Sequence, residues 1–531
     1  MKKKLFFLSL LSLLFIQCTS IKEHNEHVDD LIHIDYLKAD VDFTYKKLQR
    51  LQPKLYWYIS KNDLDHKFDS LKNTLKRPIT SYEFYKKLSP VVASIRQGHL
   101  MVAPSLKMMT KAEEKILKEK GIGPFSQFEF EIINDKMYVI KNKSLEQSIK
   151  SGAEVIAINN IKTSELIAEY YTLFTSDGYN KTFKRKRMST LFPFFYSNEN
   201  GIQDNLFFSF KQNDTLQTVY IKRKKTEQPK MKNGVQMSVI SHEQNSINKK
   251  DKSTYGYNEI TKTNNRNLKF IDKDKSIALM KIKHFDIGNP KRFYEESFST
   301  MQLNKTKTLI IDLRNNPGGT LNEIANLYSY ISDSNFAFID PYQVTSKTAL
   351  IEKTPFNKSP LIAKILMTPF YAPVAFFKVH KGDDGRYYSS NSNSKPKPIN
   401  QKAFRGKVYV MINGGTFSAA SIISSNLKGS KRATFVGEET GGAYNGTVAG
   451  IMPTIKLPHS KIKVTIGLMV VTPYYKTDLE GRGIFPDKEI TPAIADYINE
   501  KDPELDWILQ DIKKNFLIPD ENQNNKDVTL K

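Results

Sequence analysis

The stretch Asn413-Gly414-Gly415-Thr416-Phe417-Ser418-Ala419-Ala420-Ser421 joins two different hydrophobic patterns. Residues 407–413 are a short, continuous apolar run of strand length. Residues 418–428 read as a helix closed by Gly429. A buried strand that ends in a glycine turn and passes into a helix is the repeating step of an α/β sheet. The step recurs at Asp312-Leu313-Arg314-Asn315-Asn316-Pro317-Gly318-Gly319, after the apolar run 306–313. There Thr320-Leu321-Asn322-Glu323 reads as a capping box opening a helix through Ile331. Further strands are expected at 276–282, 432–437 and 462–472, so residues 268–495 form an α/β unit, interrupted at 340–405 by a long irregular insertion.

Upstream, the pattern changes twice. Residues 31–95 are helix-like, with Val41, Phe43, Leu48 and Leu51 on one face, a break at Pro53 and a second stretch over 64–75. A third helix opens near Ser81, a candidate cap, and carries Phe84, Leu88, Val91, Val92 and Ile95 before Gln97-Gly98-His99. Residues 31–123 are thus read as a helical N-terminal region. Residues 124–225 hold short alternating runs and Ser151-Gly152-Ala153-Glu154-Val155-Ile156-Ala157-Ile158-Asn159-Asn160. A glycine turn, a buried strand and an Asn-Asn turn before a helix from Ser164 resemble the core of PDZ domains, which bind peptides by adding a strand to a sheet edge. The alternative is a purely structural β-domain. Residues 226–267 are polar and aperiodic, a linker or insertion, and residues 496–531 form a C-terminal helix and a polar tail.

The first 17 residues read as an export signal, with Lys2, Lys3 and Lys4 ahead of an apolar segment from Leu5 to Ile16. Cys18 follows, and Phe15-Ile16-Gln17-Cys18 resembles a bacterial lipobox, which implies lipid on Cys18, a polar tether over 18–30 and a place on the cell envelope, facing the periplasm or the exterior. Plain secretion with an incidental cysteine is the alternative. Cys18 is the only cysteine, so an intrachain disulfide and a cysteine-based zinc site are excluded. The 531 residues allow three or four domains at about 100–200 residues each. A 39% hydrophobic content excludes global disorder. The net charge of +24 is spread along the chain, and its one cluster, Lys222-Arg223-Lys224-Lys225, has no interleaved aromatics, which with the lack of a nucleic-acid motif argues against a nucleic-acid partner.

Two segments bear chemistry. A serine at a helix start, as Ser418 is, stands beside free N–H groups and the positive end of the helix dipole, where an oxyanion is stabilised. An ordinary N-cap uses the same residue in the same place. The glycines of the 312–319 segment let backbone N–H groups approach a ligand, or simply make a tight turn.

Taken together these segments resemble the S41 family of serine peptidases, the C-terminal processing proteases and their tricorn-like relatives. The resemblance extends to Val436-Gly437-Glu438-Glu439-Thr440-Gly441-Gly442, to Glu480-Gly481-Arg482-Gly483-Ile484-Phe485-Pro486-Asp487, and to Arg96-Gln97-Gly98-His99. It implies a crotonase-like (ClpP/crotonase-type) protease core with the PDZ-like domain and the helical N-terminal region. Ser418 takes the nucleophile position. The Ser–Lys dyad of the processing proteases is missing, because Ala443 stands at the lysine position, with Lys428 and Lys431 as remote substitutes. The tricorn-like branch instead implies His99 as general base and Glu480 as its orienting acid, with Asp478 as a rival; His284 and His459 are competing bases. Gly98 replaces that branch's helper serine. The oxyanion would be held by backbone N–H of Gly318 or Gly319 and of Ala419.

The resulting expectation is an exported serine peptidase that cleaves protein or peptide substrates through an acyl-enzyme, without metal or organic cofactor. Two alternatives remain: a non-catalytic peptide-binding lipoprotein that keeps the fold, and an esterase, against which the lack of G-x-S-x-G counts.

Overall fold

The computed structural model describes residues 21–225, 249–352, 373 and 376–517. The export signal, Cys18, much of the 226–267 segment and the tail beyond Pro519 lie outside the described residues.

At the centre is a six-stranded sheet in the order Arg266–Phe270, Ile277–Ile282, Thr308–Asp312, Lys407–Ile412, Thr434–Gly437, Lys488–Glu489. The first pair is antiparallel and every later pair is parallel. Period-two alternation sends side chains to two cores. Leu309, Ile311, Val408, Val410 and Ile412 face the helices Pro290–Leu303, Leu321–Ser329 and Ala419–Gly429. Ile310, Tyr409, Met411 and Val436 face Ile508 and Ile512 of the helix Pro503–Leu517. With helices on both faces, Thr308–Asp312 is buried throughout, and each large apolar side chain there contributes about 1.5–3 kcal/mol.

Several local expectations are corrected. The capping box at Thr320 does not form: the Thr320 hydroxyl donates to the Phe285 carbonyl at 3.0 Å, and Glu323 is drawn to buried Arg266, whose Nε and Nη2 donate at 2.8 and 2.6 Å. A buried guanidinium needs its counter-ion more than a helix needs its cap. The run 462–472 is two strands in two sheets, Lys463–Thr465 and Met469–Val471, divided where Gly467 passes so close to Val448 that a Cβ would meet its carbonyl at 2.6 Å. The described part of 340–405 is ordered into strands Tyr342–Val344, Val379–Lys381 and Tyr387–Ser389, which extend the sheet containing Met469–Val471 and Thr447–Ala449.

The N-terminal helices are Ile34–Leu51, Lys61–Thr74 and Ser81–Ala93. Thr80, not Ser81, caps the last of these in a capping box with Glu83, while the Ser81 hydroxyl donates to the Ser460 carbonyl at 2.7 Å. Residues 21–27, expected within a tether, form a short helix whose Asn25 side chain donates to the Met108 carbonyl at 2.9 Å. The middle unit is an antiparallel sheet in the order Phe128–Ile133, Lys136–Asn142, Glu154–Ile158, Asn205–Gln212, Thr215–Lys222, with helices Thr163–Tyr170 and Thr182–Asn200. Asn159 and Asn160 make its expected turn, both at positive φ. Among the described residues no helix is long and apolar enough to cross a membrane.

Candidate active site

The loops that leave Thr308–Asp312 and Lys407–Ile412 lie side by side at the carboxyl ends of adjacent parallel strands, where open α/β sheets bind ligands. Three hydrogen bonds tie them together. Asn315 N–H donates to Asn413 Oδ1 at 2.9 Å, the Thr416 hydroxyl donates to the Leu313 carbonyl at 2.8 Å, and Phe417 N–H donates to the Asn316 carbonyl at 2.9 Å. Asn316, fully buried, also donates to the Ile282 carbonyl and accepts the Gly318 N–H, each at 2.9 Å. Asp312 and Arg314 of the same motif are scaffolding: Arg314 bonds Asp312 at 3.0 Å and grips Asp502 through two nitrogens at 2.8 and 2.7 Å, which fastens the C-terminal helix.

Ser418 occupies the N-cap position of Ala419–Gly429, yet its side chain makes no cap bond. Its backbone is at φ 55° and ψ −124°, a conformation that costs a non-glycine residue on the order of 1–3 kcal/mol. The close approach of Gly318 accompanies this strain: a Cβ there would stand 2.7 Å from Ser418 Cβ. The turn projects the hydroxyl away from the helix end, and Oγ lies 3.0 Å from His99 Nε2.

His99 reaches the serine from 319 residues away in sequence because its segment is gripped from two sides. Met101–Ala103 pairs antiparallel with Lys463–Thr465 of the core region. From the middle unit, Gly178 N–H donates to the Arg96 carbonyl at 2.8 Å, the Thr175 hydroxyl donates to the Leu100 carbonyl at 2.8 Å, and Asp177 Oδ1 accepts Gly98 N–H at 2.7 Å. The imidazole stacks on Phe417, with centroids 4.7 Å apart, and Phe417 packs on Phe183. Burial pushes the His99 pKa down to about 4, so the ring is neutral at physiological pH and its Nε2 can hold a free lone pair.

The other ring nitrogen carries a correction. Nδ1 of His99 lies 3.0 Å from the Thr447 hydroxyl, which in turn lies 3.1 Å from Asp177 Oδ1. Glu480 is exposed, and its two oxygens accept from Trp57 Nε1 at 3.1 Å and Asn445 Nδ2 at 3.0 Å rather than from the imidazole. Asp478 is exposed as well and shares its backbone carbonyl with Glu480 N–H. Both sit on a surface loop, whereas the Nδ1 edge faces inward. No motif marks Thr447, in a three-residue strand, or Asp177, in a Ser-Asp-Gly turn, so sequence reading had nothing to find them by.

The other candidates are dispersed. Lys428 is near the far end of its helix, about 15 Å along the axis from Ser418, and pairs with Asp487. Lys431 follows the end of that helix. Ala443 is buried in a bridge to Gly483. The His459 ring stacks on Tyr36, and the His284 carbonyl accepts from Asn265. Of the three backbone N–H groups considered for an oxyanion, that of Gly318 is given to Asn316 Oδ1, which leaves those of Gly319 and Ala419 without a partner among the described residues. No group of three or more His, Cys, Asp or Glu side chains converges as a metal site among the described residues.

A cleft of about 840 Å³ opens against the segment that leads to His99, lined by Arg96, Lys181, Lys184, Arg185 and Tyr179 among others. None of its four cations makes an ion pair among the described residues. Burial, and then the Arg96 charge, push Lys184 down to about 8.

Residues 276–490 match the model of Peptidase family S41. The fold is similar to that of mature CPAF, at TM-score 0.57 and 14% identity over 91% of this chain and 97% of that one. It is similar also to mature CPAF complexed with lactacystin, at TM-score 0.54 and 15% identity over 91% and 98%. No curated protein matches the chain.

Proposed function

We propose that the chain, whose residues 276–490 match Peptidase family S41, is an exported, lipid-anchored serine-type peptidase of that family that hydrolyses protein or peptide substrates with Ser418 as nucleophile and His99 as general base. The reading rests on one observation above all, the 3.0 Å approach of Ser418 Oγ to His99 Nε2. As Oγ attacks the scissile carbonyl carbon, its proton passes to Nε2. The carbonyl oxygen becomes an oxyanion, received by the N–H groups of Gly319 and Ala419 at the positive end of the helix dipole. The imidazolium then protonates the leaving amine, and water hydrolyses the acyl-enzyme by the same route in reverse.

In this reading the six-stranded unit is the crotonase-like core and the 124–225 unit is PDZ-like, docking peptide along a sheet edge. Cys18 carries the lipid that holds the chain to the bacterial envelope. A purely binding protein would have no use for a strained, uncapped serine facing a neutral imidazole. A fluorophosphonate probe tests the site: labelling should vanish in Ser418→Ala and fall about 10²–10³-fold in rate in His99→Ala. Unchanged labelling in both variants would refute it. Metabolic labelling with a fatty acid, lost in Cys18→Ser, tests the anchor separately.

A further inference from the structure

We propose that Asp177, acting through the Thr447 hydroxyl, is the positioning acid of this site, the role expected of Glu480. The inference rests on the Ser418–His99 reading above and deepens it.

The hydrogen-bond polarity of the chain of contacts is fixed from the buried end. Asp177 Oδ1 receives Gly98 N–H at 2.7 Å and stands 3.1 Å from Thr447 Oγ1. An ionised carboxylate only accepts, and a threonine hydroxyl has one hydrogen to give. That hydrogen goes to Asp177, so Thr447 Oγ1 presents a lone pair to His99 Nδ1 at 3.0 Å. Nδ1 must then carry the ring proton, and Nε2 turns its lone pair to Ser418 Oγ. A base oriented in this way is the tautomer that acyl transfer needs.

The carboxyl's surroundings add a second argument. Asp177 is 1% exposed and makes no ion pair among the described residues. A buried, uncompensated carboxylate is costly unless it has an electrostatic task. The cation that arises next to it is the imidazolium formed when Ser418 loses its proton. That proton sits on Nε2 until it is passed to the leaving amine, Nδ1–H continues to donate to Thr447, and Asp177 balances the charge without taking a proton.

The test uses the full chain and reads peptide hydrolysis, the fluorophosphonate labelling rate and the ¹⁵N signals of the His99 ring. Thr447→Val, which keeps the shape and removes the hydroxyl, should lower kcat and the labelling rate about 10²-fold with KM little changed, and Thr447→Ser should restore them to within about threefold. Asp177→Asn should lower kcat about 10²–10³-fold, and Glu480→Gln should stay within about threefold of the parent. The ¹⁵N spectrum should show the proton on Nδ1 in the parent and a mixture of tautomers in Thr447→Val. Parent-like kcat in Thr447→Val, a parent ring protonated at Nε2, or a loss confined to Glu480→Gln would overturn the proposal. Should Asp177→Asn fail to fold, the Thr447 pair and the spectrum still decide. Ser418→Ala separates the two levels: residual hydrolysis there defeats the nucleophile reading, while the tautomer reports on Thr447 and Asp177 independently of turnover.

Discussion

Gly98 faces the Phe417 ring so closely that a Cβ at position 98 would stand 2.7 Å from Phe417 Cζ and 3.1 Å from Asp177 Oδ1. The neighbouring His99 stacks on that same ring, so the absence of a side chain at 98 sets the seat of the imidazole. A helper serine has no room here. Gly98→Ala should therefore shift His99 and reduce kcat about 10²-fold, because a displacement near 1 Å has that cost in an oriented site. Steady-state kinetics on a variant with parent-like circular dichroism checks this; full activity would show that the ring can move aside.

The pH dependence of stability should expose two opposed groups. His99 has its pKa lowered from 6.5 to about 4 by burial, so between those values the unfolded chain binds a proton that the native chain does not, and stability falls as pH drops through that window. Asp177 has its pKa raised from 3.8 to about 6, by burial first, so between those values the native chain holds the extra proton, and stability falls as pH rises. In His99→Gln the Asp177 slope should remain, with stability decreasing from pH 4 to 6. In Asp177→Asn the opposite slope should remain. Urea denaturation at several pH values measures both signs, and identical profiles in the two variants would contradict them.

Arg314 joins the central sheet to the C-terminal helix through Asp312 and Asp502, and Asp312 is 2% exposed. Burial alone would raise the Asp312 pKa, but the Arg314 hydrogen bond and charge hold it below the usual range. Arg314→Ala would leave that carboxylate without its closest counter-ion and should cost about 3–5 kcal/mol. Chemical denaturation gives the value, and a loss below about 1 kcal/mol would mean that Lys281, 3.1 Å from Asp312, suffices.

The cationic cleft lined by Arg96, Lys181, Lys184 and Arg185 should favour acidic peptides. Replacing Lys181 and Lys184 together by alanine is expected to raise KM about tenfold for a peptide with several Asp or Glu residues and to leave a neutral peptide unaffected. Added salt should mimic the double variant on the unaltered protein. Equal changes for both peptides would show that the cleft lies off the substrate path.

What local sequence determines here is whatever depends on neighbours in the chain. The apolar runs before Asn315 and Gly414 have the length and continuity of buried strands, and the glycine turns after them hand over to helices, so the α/β core and the place of Ser418 at a helix start are legible locally, while His99 enters only through a resemblance. The same local reading overestimated Thr320, where a buried arginine outbid the cap, and read 462–472 as one strand because the crossing at Gly467 depends on Val448. The partner of His99 Nδ1 was out of reach for the same reason. Asp177 and Thr447 are 270 residues apart, neither lies in a recognisable motif, and a hydrogen bond has no trace in sequence until packing closes the gap. Only the tertiary structure shows that Glu480 is exposed while Asp177 is buried behind Thr447 on the inner edge of the imidazole, because burial depends on packing between segments remote in the chain.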